Sequence, residues 1–298
     1  MRTIVVGQDD GDPVHMAWTE AGDPRSDLHI LLLHGLFDNR HSWSRLMPHL
    51  AEAGYHVIAP DLVGFGHSSR PLLHQVPPSE RYSVDAQVAW VRAFIEHLEL
   101  DNVAIVGNSL GGGVALRALC TPWPRAPKIR ALILEAAAGH RQSLPVYVQL
   151  LAEWPGRLLL FPWLLRLCLR TGLARRLARR TFVQAFHDAS KIPANLVDIA
   201  VEVLQLPNTL YAYRESARNL IPDDIDSFPE RYRDIDIPTL ILWGQQDRIV
   251  PPLFALLFEA EMPASTLHLF DECGHAPHLE LPVETAVAIR DWMRRHIS

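Results

Sequence analysis

The hydrophobic pattern of the first 140 residues alternates between strand-like and helix-like segments. Continuous apolar runs of strand length recur at residues 29–35, 56–62, 103–108 and 129–138. Between them, apolar side chains recur every three or four residues over 42–54, 83–100 and 109–120, which is the helical period. Strands separated by helices indicate crossover connections and therefore a parallel sheet that is covered on both faces.

The same alternation returns near the end of the chain. Strand patterns cover residues 237–244 and 265–272, and a helical pattern covers 283–297. The intervening stretch has helical patterns and no clear strand. We therefore predict an α/β fold with a mostly parallel sheet of the eight-stranded type, helices on both faces and an inserted helical cap. The predicted core domain comprises residues 1–138 and 234–298, and the predicted cap comprises residues 139–233.

The distribution of charge supports this division of the chain. Residues 139–233 contain 13 Lys and Arg against 9 Asp and Glu, whereas the rest of the chain contains 15 against 25. Such an asymmetry is typical of an inserted segment with its own surface.

Composition excludes several classes of function. The net charge is −6, and the chain has neither a basic tail nor a zinc-type Cys/His spacing, so we expect no nucleic-acid partner and no metal. The three cysteines are far apart, which favours a reducing compartment. The N-terminus lacks the apolar run of a signal peptide, and no run of about 20 uncharged apolar residues is present, so we expect a cytoplasmic protein.

A polar residue interrupts the apolar run that ends the third predicted strand. Ser109 lies within Gly107-Asn108-Ser109-Leu110-Gly111, which has the G-x-S-x-G spacing of a nucleophile elbow. In such an elbow a sharp strand-to-helix turn exposes the hydroxyl, and small residues two positions away on either side allow strand and helix to approach. The alternative is that Ser109 is an ordinary N-cap before a helix.

A serine nucleophile needs a base, and the base needs an acid that orients it. In open α/β sheets functional residues gather beyond the carboxyl ends of the strands. Asp247 follows the strand that ends at Gly244, and His275 follows the strand that ends near Asp271. The order Ser109, Asp247, His275 is the nucleophile–acid–base order of the α/β-hydrolase arrangement. Taken alone, Asp247 could be an ordinary acid in a loop, and His275 could be an ordinary surface histidine.

Two backbone amides are needed to stabilise the oxyanion of an acyl-transfer reaction. The amide of Leu110 directly follows the proposed nucleophile and is the first candidate donor. The second is expected from the loop that follows the first parallel strand, where Leu36 comes after His34-Gly35 and Phe37 is the alternative.

Nearly the whole chain resembles the α/β-hydrolase superfamily, in its serine hydrolase branch with a helical cap. The matching segments are HGLFDN (34–39), APDLVGFGHSS (59–69), GNSLGG (107–112), PTLILWGQQDRIVP (238–251) and CGHAPHLE (273–280). The resemblance implies that Ser109, Asp247 and His275 are the nucleophile, acid and base. A few family members take the acid from the strand that here ends near Glu135, so Glu135 is the alternative acid.

The resemblance also narrows the reaction. Dehalogenases and epoxide hydrolases of the superfamily use an aspartate nucleophile, so the serine disfavours both activities. The HGLF loop is similar to that of small carboxylesterases, which favours a cofactor-free enzyme that hydrolyses apolar esters. A carbon–carbon bond hydrolase of the meta-cleavage-product type and a cofactor-free perhydrolase stay open as alternatives, whereas a receptor or scaffold is disfavoured.

An arginine-rich segment in the predicted cap suggests a further contact. Residues 157–180 hold seven arginines, no acid and many large apolar side chains. One hypothesis is peripheral contact of the cap with a membrane. The alternative is that the apolar side covers the active site while the arginines are solvated or pair with the acidic core.

Overall fold

The computed structural model describes residues 1–153 and 162–297. Its eight-stranded sheet has the strand order β1-β2-β4-β3-β5-β6-β7-β8. The strands are β1 (Arg2–Asp9), β2 (Asp12–Ala21), β3 (His29–Leu33), β4 (His56–Pro60), β5 (Val103–Asn108), β6 (Ile129–Glu135), β7 (Thr239–Gly244) and β8 (Ser265–Phe270). The pairs β1–β2 and β2–β4 are antiparallel and the five others are parallel. The predicted mostly parallel sheet is confirmed.

The helices alternate with the parallel strands, as the hydrophobic periods predict. The α-helices are α1 (Met47–Glu52), α2 (Val84–His97), α3 (Leu110–Cys120), α4 (Val146–Ala152), α5 (Pro162–Arg170), α6 (Leu173–Ala185), α7 (Ala194–Leu204), α8 (Thr209–Arg218), α9 (Leu253–Glu261), α10 (Pro277–Glu280) and α11 (Pro282–His296). Short 3-10 helices cover Arg40–Arg45, Ala189–Lys191 and Phe228–Asp234. None of the helices described is both long and apolar enough to cross a bilayer.

Alternate residues of the central strands pack into separate cores on the two faces of the sheet. In β3, Leu31 and Leu33 face a core shared with α2 and α3, whereas Ile30 and Leu32 face a core shared with α1 and α11. Because both faces are covered, each central strand is apolar throughout, which explains the continuous apolar runs in the sequence.

Helices α4 to α8 lie in the chain between β6 and β7, where the helical cap was predicted. Residues 162–182 have a helical hydrophobic pattern throughout, but they form two helices, because Gly172 separates them with a φ of 70°. Such a left-handed backbone favours glycine and commonly ends an α-helix. Residues 157–161 of the arginine-rich segment lie outside the described residues. The division into core and cap domains stays a prediction.

Candidate active site

Ser109 is the single residue between β5 and α3, and its backbone is strained. Its φ of 51° and ψ of −116° lie in a region that residues with a side chain rarely adopt. The Ser109 amide donates to the Glu135 carbonyl (3.0 Å), and its carbonyl accepts from the Ala138 amide (2.9 Å). Ser109 occupies the N-cap position, but its hydroxyl forms no capping hydrogen bond. The strained turn is therefore held by neighbouring backbone and leaves the hydroxyl free of a capping role.

The glycines on either side of Ser109 are required by close backbone approach. A Cβ at Gly107 would collide with the Gly111 carbonyl in the first turn of α3, and a Cβ at Gly111 would collide with the Leu33 carbonyl at the end of β3. The G-x-S-x-G spacing thus has the steric basis that the sequence predicts.

Asp247 and His275 form a buried pair at the ends of β7 and β8. Nδ1 of His275 lies 2.7 Å from Oδ2 of Asp247. The other carboxylate oxygen accepts the amides of Ile249 (2.8 Å) and Val250 (3.0 Å). Both side chains are more than nine-tenths buried. The carboxylate is thus fixed by backbone and fixes the Nδ1–H tautomer of the imidazole, leaving Nε2 as an acceptor.

The alternative acid, Glu135, is paired with a different histidine. Its two carboxylate oxygens accept from the backbone amide and from Nδ1 of His278, each at 2.7 Å. Both side chains are almost completely buried, and the His278 ring lies against Trp43. Glu135 therefore orders the segment that follows His275, whereas Asp247 contacts the His275 imidazole.

Ser109 and His275 line the same cavity, which has a volume of about 140 Å³. Leu36, Phe37 and Leu110 line it from the predicted core, and the predicted cap contributes the side chains of Tyr147, Val148, Thr181, Phe182 and Phe186. Burial raises the pKa of the Tyr147 phenol to about 12. The cavity therefore offers a largely apolar surface directly beside the serine and the histidine.

The loop between β3 and the 3-10 helix at Arg40–Arg45 is braced by buried polar groups. His34 donates through Nδ1 to the Gly35 carbonyl (2.8 Å) and accepts the Leu62 amide at Nε2 (2.9 Å). The Arg40 guanidinium forms a buried ion pair with Asp61 at the end of β4. These contacts hold Leu36 and Phe37 at the cavity wall. His34 has both ring nitrogens occupied and braces the loop.

Two further residues near the serine have packing or tethering contacts. Asn108 donates to the carbonyls of Glu135 (3.2 Å) and His275 (3.1 Å), so it links the elbow to the histidine loop. Cys273 is fully buried, and burial raises the pKa of its thiol far above the usual range. A thiol that stays protonated is a packing residue.

Glu280 is the residue at this site that sequence analysis missed. Its buried carboxylate accepts three backbone amides, from Gly274 (2.8 Å) beside the histidine and from His187 (3.0 Å) and Asp188 (2.7 Å) after α6. The His275 amide also donates to the Ala185 carbonyl (2.7 Å). A charged side chain in the apolar segment APHLEL was the signal available, because buried acids require partners.

We expect Glu280→Gln to lower the free energy of unfolding by about 3 kcal/mol, because an amide cannot accept all three backbone N–H groups. Urea unfolding measures the loss. Glu284→Gln provides a matched control, since Glu284 is exposed in the first turn of α11. An unfolding midpoint for Glu280→Gln equal to that of the control would contradict the role of the carboxylate.

Over residues 1–153 and 162–297, no three His, Cys, Asp or Glu side chains are grouped so that they could hold a metal ion.

Comparison with known proteins relates this geometry to hydrolases. A family model described as alpha/beta hydrolase fold matches residues 29–282. A 2-hydroxy-6-oxo-2,4-heptadienoate hydrolase from Pseudomonas putida is 29% identical over 271 residues, which are 87% of this chain and 85% of that protein.

Solved structures of similar fold include two kinds of hydrolase. A mutant of the meta-cleavage product hydrolase CumD superposes with a TM-score of 0.77 and 22% identity, covering 99% of this chain and 98% of that one. A thermophilic esterase from Thermogutta terrifontis superposes with a TM-score of 0.72 and 23% identity, covering the whole of both chains. At these identities the likeness concerns the fold.

Proposed function

Because the chain belongs to the α/β-hydrolase fold family, we propose that this hydrolase cleaves carboxylic esters with apolar groups, using Ser109 as nucleophile, His275 as base and Asp247 as the orienting acid. One observation carries the proposal. A serine in a strained elbow and a histidine paired with a buried carboxylate line one apolar cavity.

The reaction proceeds in two steps through an acyl-enzyme. Oγ of Ser109 attacks the ester carbonyl while Nε2 of His275 takes the hydroxyl proton, and the imidazolium then gives that proton to the departing alcohol. In the second step a water molecule attacks the carbonyl of the acyl-enzyme while Nε2 of His275 takes its proton. The imidazolium then returns a proton to Oγ of Ser109, and the carboxylic acid is released. Asp247 keeps the imidazole proton on Nδ1 and stabilises the imidazolium that forms in each step.

Backbone amides stabilise the negative charge that develops on the carbonyl oxygen. The Leu110 amide belongs to the first turn of α3, where N–H groups lack helical acceptors and the helix dipole favours an anion. The second donor is the Leu36 amide, with the Phe37 amide as the alternative, since both residues line the cavity beside Ser109. Gly35 makes this approach feasible, because a Cβ there would press on Asn108 and Ser109.

Carbon–carbon bond hydrolysis is the second candidate, because a heptadienoate hydrolase is 29% identical to this chain. The name of that relative's substrate implies a carboxylate. Among the described residues that line the cavity of this chain, none is Arg or Lys, and one is the acid Asp38. A carboxylate buried beside Asp38 without a cation is unfavourable. The lining therefore supports an uncharged ester as substrate.

The electrostatics of the cavity predict a preference that separates the two candidates. We expect p-nitrophenyl butyrate to be hydrolysed with a kcat/KM about 100-fold above that of mono-p-nitrophenyl succinate, because the succinyl carboxylate meets Asp38 and no cation. Asp38→Asn removes the negative charge that repels the succinyl carboxylate, so the ratio of the two kcat/KM values should fall about tenfold. A spectrophotometric assay of both esters and of a 2-hydroxy-6-oxo-dienoate provides the test. If the enzyme turned over the dienoate faster than p-nitrophenyl butyrate, the ester proposal would be rejected in favour of carbon–carbon bond cleavage.

A further inference from the structure

The two helices that follow the undescribed segment carry the same exposed pattern. In α5, Trp163 and Leu167 are exposed and one helical turn apart. In α6, Leu173 and Leu177 repeat this arrangement ten residues later. Residues four apart lie on one face of a helix, so each helix presents a large apolar pair to solvent.

An arginine follows each of these apolar residues at a spacing of three. Arg166 and Arg170 follow Trp163 and Leu167, whereas Arg176 and Arg180 follow Leu173 and Leu177. All four arginines are exposed. Because residues three apart are neighbours on a helix surface, each apolar side chain has an arginine beside it. We call these eight residues the Arg/Leu face.

No acid compensates the arginines within the two helices. Residues 162–187 contain six Arg and no Asp or Glu, and Asp188 is the first acid after them. Of these six, Arg175 forms an ion pair with Asp198 of α7 and lies two residues from Leu173 and Leu177, a spacing that does not share their face. The Arg/Leu face therefore combines positive charge with exposed apolar area, whereas the whole chain has a net charge of −6.

We propose that the Arg/Leu face is a docking surface for an anionic lipid membrane. Its chemistry matches both layers of such a surface, because arginines pair with phosphate and carboxylate headgroups while Trp and Leu enter the boundary with the acyl chains. An acidic protein partner would satisfy the arginines but would leave no specific role for the apolar residues that alternate with them. A helix that lies in the membrane plane uses both.

The position of the face gives the docking a consequence for catalysis. Thr181, Phe182 and Ala185, from other positions of α6, line the cavity that contains Ser109. One helix thus connects the membrane-facing surface with the proposed active site. This consequence rests on the proposed function and implies that apolar esters are drawn from the lipid surface, whereas the docking itself does not depend on hydrolysis.

Vesicle co-sedimentation of the full chain tests the proposal. We expect binding to phosphatidylcholine vesicles that contain phosphatidylserine, weaker binding at high salt and little binding to pure phosphatidylcholine. Each arginine at an anionic surface contributes about a fivefold gain in affinity. Arg170→Glu with Arg180→Glu should therefore weaken binding at least about 100-fold. Leu167→Ser with Leu177→Ser should abolish the part of the binding that survives high salt.

The matched control is Arg175→Glu with Arg179→Glu. This pair changes the net charge of the chain by the same amount, but neither residue is three or four positions from Leu173 or Leu177. We expect it to weaken binding less than tenfold. No sedimentation of the native chain with phosphatidylserine vesicles, or equal losses for the two charge reversals, would overturn the proposal. Ser109→Ala should bind vesicles as the native chain does, so a failure of the ester proposal is distinguishable from a failure of docking.

Discussion

Ser109→Ala is expected to lower kcat for p-nitrophenyl butyrate by about 10⁶-fold, leaving only the contribution of binding and of the oxyanion donors. The substitution removes Oγ and keeps Cβ, so the elbow with its φ of 51° is unchanged. The measurement is the initial rate at saturating ester, together with the loss of covalent labelling by a fluorophosphonate. A rate within tenfold of the native chain would exclude Ser109 as the nucleophile.

Two variants separate this chemical effect from effects on the fold. Ser109→Gly is equally inactive, but glycine tolerates the positive φ, so its free energy of unfolding should exceed that of Ser109→Ala by about 1 kcal/mol. Ser68→Ala is the matched control, since the buried Ser68 hydroxyl donates to the Asp61 carbonyl and accepts the Ala17 amide outside the cavity. It should lower stability and leave kcat within a few fold of native.

The central sheet was predictable because its physical causes are local. Strands buried on both faces must be apolar throughout, and each parallel connection requires a helix, so β3 to β7 and their order of appearance follow from hydrophobic period. The edge strand β8 was also predicted, although it is largely exposed. Sequence analysis missed β1, which is largely exposed, and β2, in which the buried Val14, Met16 and Trp18 lie on one face and form no long apolar run. The Asp10-Gly11 turn between them, with φ of 49° and 86°, was the signal available for a hairpin.

Sequence analysis also missed helices α8 and α9. Contacts between residues distant in sequence could not be predicted from hydrophobic period or from motifs. Whether Asp247 or Glu135 faces the His275 imidazole depends on which loop packs beside it, and the sequence contains two histidines three residues apart. The three backbone amides that donate hydrogen bonds to Glu280 belong to residues 6, 92 and 93 positions away in the sequence. Such pairing is set by the packing of loops and not by local propensity.

Asp247→Asn is expected to lower kcat/KM by about 10⁴-fold, a much larger loss than Glu135→Gln should cause. Oδ1 accepts the Ile249 and Val250 amides, so an asparagine at this position keeps its oxygen there and turns its NH₂ group towards His275. Nδ1 of the imidazole must then accept a hydrogen bond, and its proton moves to Nε2. The imidazole faces the serine in the wrong tautomer and cannot take the hydroxyl proton.

Glu135→Gln distinguishes the two acids. The variant weakens the contacts to the His278 amide and Nδ1, so its free energy of unfolding should fall by about 2 kcal/mol, whereas kcat/KM per folded molecule should stay within tenfold of native. Ester kinetics and urea unfolding of both variants measure the contrast. A loss of 10³-fold or more in kcat/KM for Glu135→Gln, with Asp247→Asn still active, would reverse the assignment of the acid. We expect the larger loss of kcat/KM for Asp247→Asn because the His275 ring contacts Asp247, whereas the His278 ring contacts Glu135.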